Sequence, residues 1–235
     1  MSDPTRTSQS TRHATGAARA ADRTPATAVA PAVRRPLAAA VRALIATAAL
    51  TGLATEADLT PDLPLLLGNF TVQANIAVAL VFIWSSHRAW TGRRPAHPLL
   101  TGAALFFITL AALLVHAAPS GDTGGFALPG APTGPAGALS IAGPLLHTVT
   151  PLAALADWLL LTAPGGFRRS YAWQWSAYPL LYLAFTFLPS PPPHALAIAL
   201  TACLLPLITI AIDQVRPSPR LHRNRISPTG ISPLK

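Results

Sequence analysis

Charge is what this 235-residue chain has least of: only 11% of its residues are Asp, Glu, Lys or Arg. Soluble domains carry about 25%, and with a mean hydropathy of +0.43 a soluble globular class is disfavoured. Cysteine is nearly absent. Cys203 stands alone, which excludes an intrachain disulfide and any cysteine-based metal cluster. It lies inside an apolar run, where a buried, inert thiol is the expectation. Lysine is as scarce, since Lys235 stands against sixteen arginines. With abundant Ala and Pro, that bias points to a GC-rich bacterial genome. No HxxxH or HExxH pattern offers paired metal ligands, so neither a metal nor another cofactor is expected. The two halves show no repeat, which weakens an inverted-repeat transporter reading.

The charge that is present is unevenly placed. Of the 17 Lys and Arg residues, 11 fall in 1–36 and 216–235, while 37–215 is a series of apolar blocks. The net charge of +9 comes without an aromatic or Gly-rich reader motif, so contact with an anionic membrane surface explains it better than nucleic-acid binding. Residues 1–36, rich in Thr, Ala, Arg and Pro, read as a disordered cytoplasmic tail, and 216–235 as a second basic tail. Between them, 37–215 reads as the membrane domain. Its apolar stretches, at 37–55, 65–86, 98–118, 139–162, 173–189 and 194–215, each approach the roughly 17–25 residues that span a bilayer. The fifth is the shortest and is interrupted by Pro179. Lipid leaves backbone polar groups no partner outside the segment, which favours helices. The expected fold is therefore all-α, a polytopic bundle of six transmembrane helices.

Arg88, Arg93 and Arg94 lie in one loop and Arg168 and Arg169 in another, on the same side as both basic tails. The alternate connections carry Glu56, Asp58, Asp62 and Asp122 and no basic residue. The positive-inside rule then places both termini in the cytoplasm. The Gly- and Pro-rich 119–138 connection reads as an external loop. A multi-pass protein of a bacterial plasma membrane, with membrane lipids as partners and no nucleic acid, is the expectation.

Polar residues within apolar spans are costly unless enclosed or paired. The second span begins Asn69-Phe70-Thr71-Val72-Gln73-Ala74-Asn75. On a continuous helix Thr71 and Asn75 share one face and Asn69 and Gln73 another, so the stretch must be surrounded by protein or line a wet cavity. The fourth span carries His147-Thr148-Val149-Thr150-Pro151. Pro151 has no N–H for the carbonyl of His147, which predicts a bend and a free carbonyl beside the imidazole. Thr71 and His147 fall at matched depth, as a nucleophile and its base would. Asn69, Gln73 and Asn75 are then candidates for substrate binding or oxyanion donation. His116 ends the third span near the same level. Asp157 lies some ten residues deeper than His147, about 15 Å along a helix. With Asp213 it reads as a structural carboxylate, pairing with Arg42, Arg168 or Arg169. The tryptophans, Trp84, Trp90, Trp158, Trp173 and Trp175, gather at inner helix ends as interfacial anchors would.

These two polar pieces, with Asp157-Trp158-Leu159-Leu160 after the second, resemble the bacterial six-helix membrane proteins distantly similar to the eukaryotic androgen-induced, FAR-17a-type family. The resemblance covers roughly 37–215 and excludes both tails. It implies a membrane threonine hydrolase cleaving fatty acid esters of hydroxy fatty acids, with Thr71 as nucleophile and His147 as catalytic base. The rival expectations are a non-enzymatic small-solute transporter or lipid-binding protein using the same polar cluster, and a structural protein whose polar residues only hold helices together.

Overall fold

The computed structural model describes residues 34–60, 62–117, 141–187 and 195–217, and all of its regular structure among them is helical. Proline and side-chain caps set the starts. The helix α1, Pro36–Leu59, opens on a proline, whose missing N–H costs nothing in a first turn. A one-and-a-half-turn helix α2, Leu63–Gly68, is capped by Asp62, whose side chain accepts from Leu65 N at 3.1 Å. Then α3 spans Phe70–Trp90 and α4 Pro98–Ala117. The next helix, α5, runs Ala142–Leu161 with an irregular turn inside it. Last come α6, Tyr171–Phe187, and α7, Ala195–Val215.

Five of these, α1, α3, α4, α5 and α7, are long and apolar enough to cross a membrane. The 17-residue α6 is not among them. Between 28% and 50% of each of the five spans is buried inside the bundle, so most of their apolar surface points outward. Leu160, Phe185 and Leu196 are each more than 70% exposed, while Thr71, Asn75 and Thr150 are fully enclosed. A water-soluble fold seldom exposes so much apolar surface; a membrane-embedded, multi-pass chain does.

The second span departs from its expected form. In place of one helix over 65–86, the chain breaks at Asn69, whose φ −80° and ψ 132° are extended. Asn69 therefore caps α3 and shares no helical face with Gln73. Two tryptophans also differ from their expected role. Trp158 and Trp175 are buried against Phe167, with ring centroids 5.9 and 5.1 Å away; Trp84, Trp90 and Trp173 are exposed. Cys203, expected to be buried, faces outward from α7. The 119–138 connection, with Asp122, and most of both tails lie outside the described residues.

α1 packs along α3, α6 along α7, and α5 against α1 and α4. Two glycines permit the closest approaches. A Cβ on Gly52 would meet Leu146 side-chain atoms at 2.7 and 2.9 Å, and one on Gly102 would meet the Trp175 ring at 2.2 Å. Small residues at such points bring helices together where lipid supplies no hydrophobic drive. The arginine-bearing segments converge at one end of the bundle. There Arg35 N donates to Ala89 O at 2.9 Å and Gly165 N to Asp213 O at 3.1 Å. Trp175 Nε1 donates to Leu99 O at 3.0 Å at the same end.

Candidate functional site

The irregular turn of α5 organises the opposite end. Over Leu145–Val149 the helix widens so that Thr150 N–H bonds Leu145 O, five residues back rather than four. Such π-type turns insert one residue into a helix and recur at functional positions. The cause lies one residue further on. Pro151 has no N–H, and Thr150's is already spent, so the carbonyls of Leu146 and His147 lack their usual helical donors.

Side chains from two other helices replace those donors. Asn75 Nδ2, on α3, donates to Leu146 O at 3.3 Å and to Thr71 O at 3.0 Å. Both acceptors are carbonyls, which fixes which end of the amide carries nitrogen. His116, at the end of α4, places Nε2 3.2 Å from His147 O and 3.3 Å from Thr148 Oγ1. A carbonyl can only accept, so Nε2 carries the proton and the Thr148 hydroxyl accepts as well. The free carbonyl expected beside His147 is therefore occupied.

Thr71 is the second residue of α3. Its N–H donates to Asn69 Oδ1 at 2.9 Å, and the side chain is wholly buried. Gln73 is engaged at both ends: Nε2 donates to Leu67 O at 2.7 Å, and Oε1 accepts from Tyr178 OH of α6. Tyr182, one turn on, donates to Gly68 O at 3.0 Å. These tyrosines escaped the sequence reading, although their i,i+4 spacing marks one helical face. Asn75 thus ties Thr71 to the residue before His147, and the two candidates sit on facing elements.

Among the described residues, four buried side-chain atoms have no hydrogen-bond partner: Asn75 Oδ1, His147 Nδ1, Thr150 Oγ1 and Arg216 Nε. Three of the four lie at the α3–α5 junction. Native interiors rarely leave such atoms unpaired, and a cluster of them marks a place for water or a ligand. His147 is only half-buried, with Thr148 and Val149 exposed beside it, so the junction opens sideways from the bundle. Thr150 is a further residue that sequence reasoning passed over. Its signal was a hydroxyl directly before a proline, where the backbone N–H and side chain must serve different partners.

The carboxylates lie at the other, arginine-bearing end. Arg42 Nε donates to both oxygens of Asp157, at 3.0 and 3.2 Å, and Nη2 to Thr162 Oγ1 at 3.3 Å. Asp213 pairs with Arg216 at 2.7 Å rather than with Arg42, Arg168 or Arg169. The same oxygen, Oδ1, accepts from Trp158 Nε1 at 3.3 Å, and Oδ2 accepts from Phe167 N at 2.9 Å. Arg216 also lies over the Trp158 ring, 4.6 Å from its centroid. This first residue of the expected tail is thus packed into the bundle.

A cavity of about 260 Å³ opens at this same end. Arg35, Arg42, Asp157, Ser85 and Thr162 form its polar wall; Val81, Phe82, Leu105, Leu161 and Phe167 are among its apolar residues. It is remote from Thr71 and His147. Comparison with family models, curated proteins and solved structures finds no match to this chain.

Proposed function

We propose that this is a six-span membrane protein with both termini in the cytoplasm of a bacterium, and that it hydrolyses lipid esters with Thr71 as nucleophile and His147 as base. The observation that carries the chemistry is the cluster of unpartnered buried atoms, His147 Nδ1 among them, at the junction that Asn75 fastens to Thr71. An uncommitted imidazole nitrogen, on the element that Asn75 fastens to the Thr71 turn, is free to take a nucleophile's proton once substrate arrives.

The sixth span is α6. Its 17 residues rise roughly 25 Å. Trp175, near its start, bonds Leu99 at the arginine-bearing end, and Tyr182 bonds Gly68 at the other. Arginine-bearing segments gathered at one end favour the orientation with both tails inside.

In the proposed reaction His147 Nδ1 takes the Thr71 hydroxyl proton as Oγ1 attacks the acyl carbonyl. The tetrahedral intermediate collapses, the alcohol leaves with the proton from His147, and water then hydrolyses the acyl-Thr71 ester by the same base. Asn75 directs its amide nitrogen to two carbonyls, and Gln73 is held at both ends, by Leu67 O and by Tyr178 OH, so we assign them positioning roles. The Thr150 hydroxyl, uncommitted and one turn from His147, is the better oxyanion donor. Sideways exposure of Thr148 and Val149 suits an apolar ester entering from the lipid.

Fluorophosphonate labelling in membranes tests this. Wild type and Thr71→Ser label; Thr71→Ala and His147→Ala lose labelling by about 10³-fold or more. Labelling of Thr71→Ala at the wild-type level overturns the assignment. A second reading, interhelical support alone, is favoured by the engagement of Asn75 and His116 with carbonyls freed by the Pro151 turn. It predicts that no variant alters labelling while Asn75 variants lose folding yield.

A further inference from the structure

The cavity at the arginine-bearing end takes no part in the proposed hydrolysis, and its wall is built unlike a packing defect. Arg42 is buried, and its Nε and Nη2 are spent on Asp157 and Thr162. Its Nη1 has no protein partner among the described residues, although it is not sealed from space. Ser85, also buried, presents a hydroxyl to the same cavity. Arg35 stands exposed at the rim, without a carboxylate partner among the described residues.

The charges do not balance. Asp157 neutralises one guanidinium, and the second leaves the cavity with one net positive charge. The Arg42–Asp157 pair is held firmly enough to act as a fixed dipole, its cationic side carrying the uncommitted N–H groups. Beneath the polar wall the lining is apolar, from Phe82, Leu105 and Phe167. A ligand matching this wall has one negative charge, oxygen acceptors for Arg42 and Ser85, and an apolar continuation. A volume of about 260 Å³ falls below the usual range for a whole drug-sized ligand, about 300–1,000 Å³. It suits a headgroup and the first carbons behind it, with the chains left in the bilayer.

We infer that this cavity binds the monoanionic phosphodiester headgroup of a membrane phospholipid, held by Arg42, Arg35 and Ser85. Basic pockets between helices at the cytoplasmic face serve anionic headgroups in this way. The inference does not rest on the Thr71–His147 reading, whose failure would show in labelling and leave lipid binding untouched.

The test uses the full chain, purified in a neutral detergent, with melting followed during titration with phosphatidylglycerol, phosphatidylcholine, palmitate or inorganic phosphate. Phosphatidylglycerol should raise the Tm saturably, and native mass spectrometry should find it retained. Phosphatidylcholine should not raise the Tm. Arg35→Gln should weaken the phosphatidylglycerol response about fivefold. The paired Arg42→Gln/Asp157→Asn variant, which strands no charge, should abolish it. Arg168→Gln/Arg169→Gln, at the same end but outside the cavity, should retain it. Equal shifts from phosphatidylcholine overturn the inference, as do equal shifts from palmitate or phosphate alone. So does an undiminished response in Arg35→Gln, or an equal loss in the Arg168/Arg169 variant, which would mean diffuse surface attraction.

Discussion

Asn75 shows how much one amide can hold. It is fully enclosed, and its nitrogen serves two carbonyls on two helices. Asn75→Leu keeps the volume but leaves the Leu146 carbonyl without a donor, while Thr71 O keeps its helical one, at a cost of about 1–3 kcal/mol. A fall in Tm of the purified protein checks it. His147→Ala should behave in the opposite way, because Nδ1 has no partner to lose: labelling disappears while the melt barely moves. At the other end, Arg42→Ala strands the Asp157 carboxylate in a largely buried position. Breaking such a pair costs about 3–5 kcal/mol. Adding Asp157→Leu should recover most of the lost stability. Failure of the double variant to recover it would show that Arg42 matters chiefly by packing.

Among the elements, α5 carries the local conflict that shapes the site. Its proline deprives the preceding turn of donors, and α3 and α4 supply them. Pro151→Ala restores an N–H, so the penalty of Asn75→Leu should shrink by about 1 kcal/mol in that background. A double-mutant cycle on melting reads the coupling directly. The glycine contacts differ in kind. Gly52→Ala meets the flexible tip of Leu146, whereas Gly102→Ala meets the rigid Trp175 ring at a shorter distance. Overpacking costs about 1–3 kcal/mol; Gly102→Ala should sit at or above the top of that range and Gly52→Ala near the bottom. Reversal of the two would place the tighter helix contact at α1.

At this scale the sequence was informative where hydropathy governs. The spans of α1, α4, α5 and α7 were readable within a few residues, because lipid demands long apolar runs. The break at Asn69 was not, since the apolar run Leu63 to Gly68 passes into the second span without a gap in length and only the Asn69 cap separates them. Pro151 announced a disturbed turn, but not that Asn75 and His116 would repair it. Those partners are 71 and 31 residues away from the carbonyls they serve, and no local pattern encodes the pairing. Nor did composition reveal the cavity at the arginine-bearing end, which needs four helices to enclose it.

For the whole molecule, the distribution of exposed apolar surface makes a statement about access. Cys203 faces outward eight residues into α7, about 12 Å along the helix. A membrane-impermeant maleimide should therefore leave the native chain unlabelled in intact cells and in inside-out vesicles alike. A permeant reagent should label it. Reaction with the impermeant reagent on either side would place that face of α7 against water. The two polar regions, one at each end, then belong to opposite surfaces of the same apolar bundle.

The widened turn in α5 has one more consequence, for the way the two ends are kept in phase. It contributes one residue beyond a regular helix, and one residue is roughly 100° of rotation. The wide turn absorbs that residue, so the side chains between Thr150 and Leu161, Asp157 included, keep the azimuth of a regular helix. Deleting a single residue from Leu145–Val149 would close the helix into uninterrupted turns and leave Asp157 facing Arg42, whereas a deletion in the regular turns below would swing Asp157 away. Single-residue length changes in this helix should therefore be tolerated at the wide turn and not beneath it.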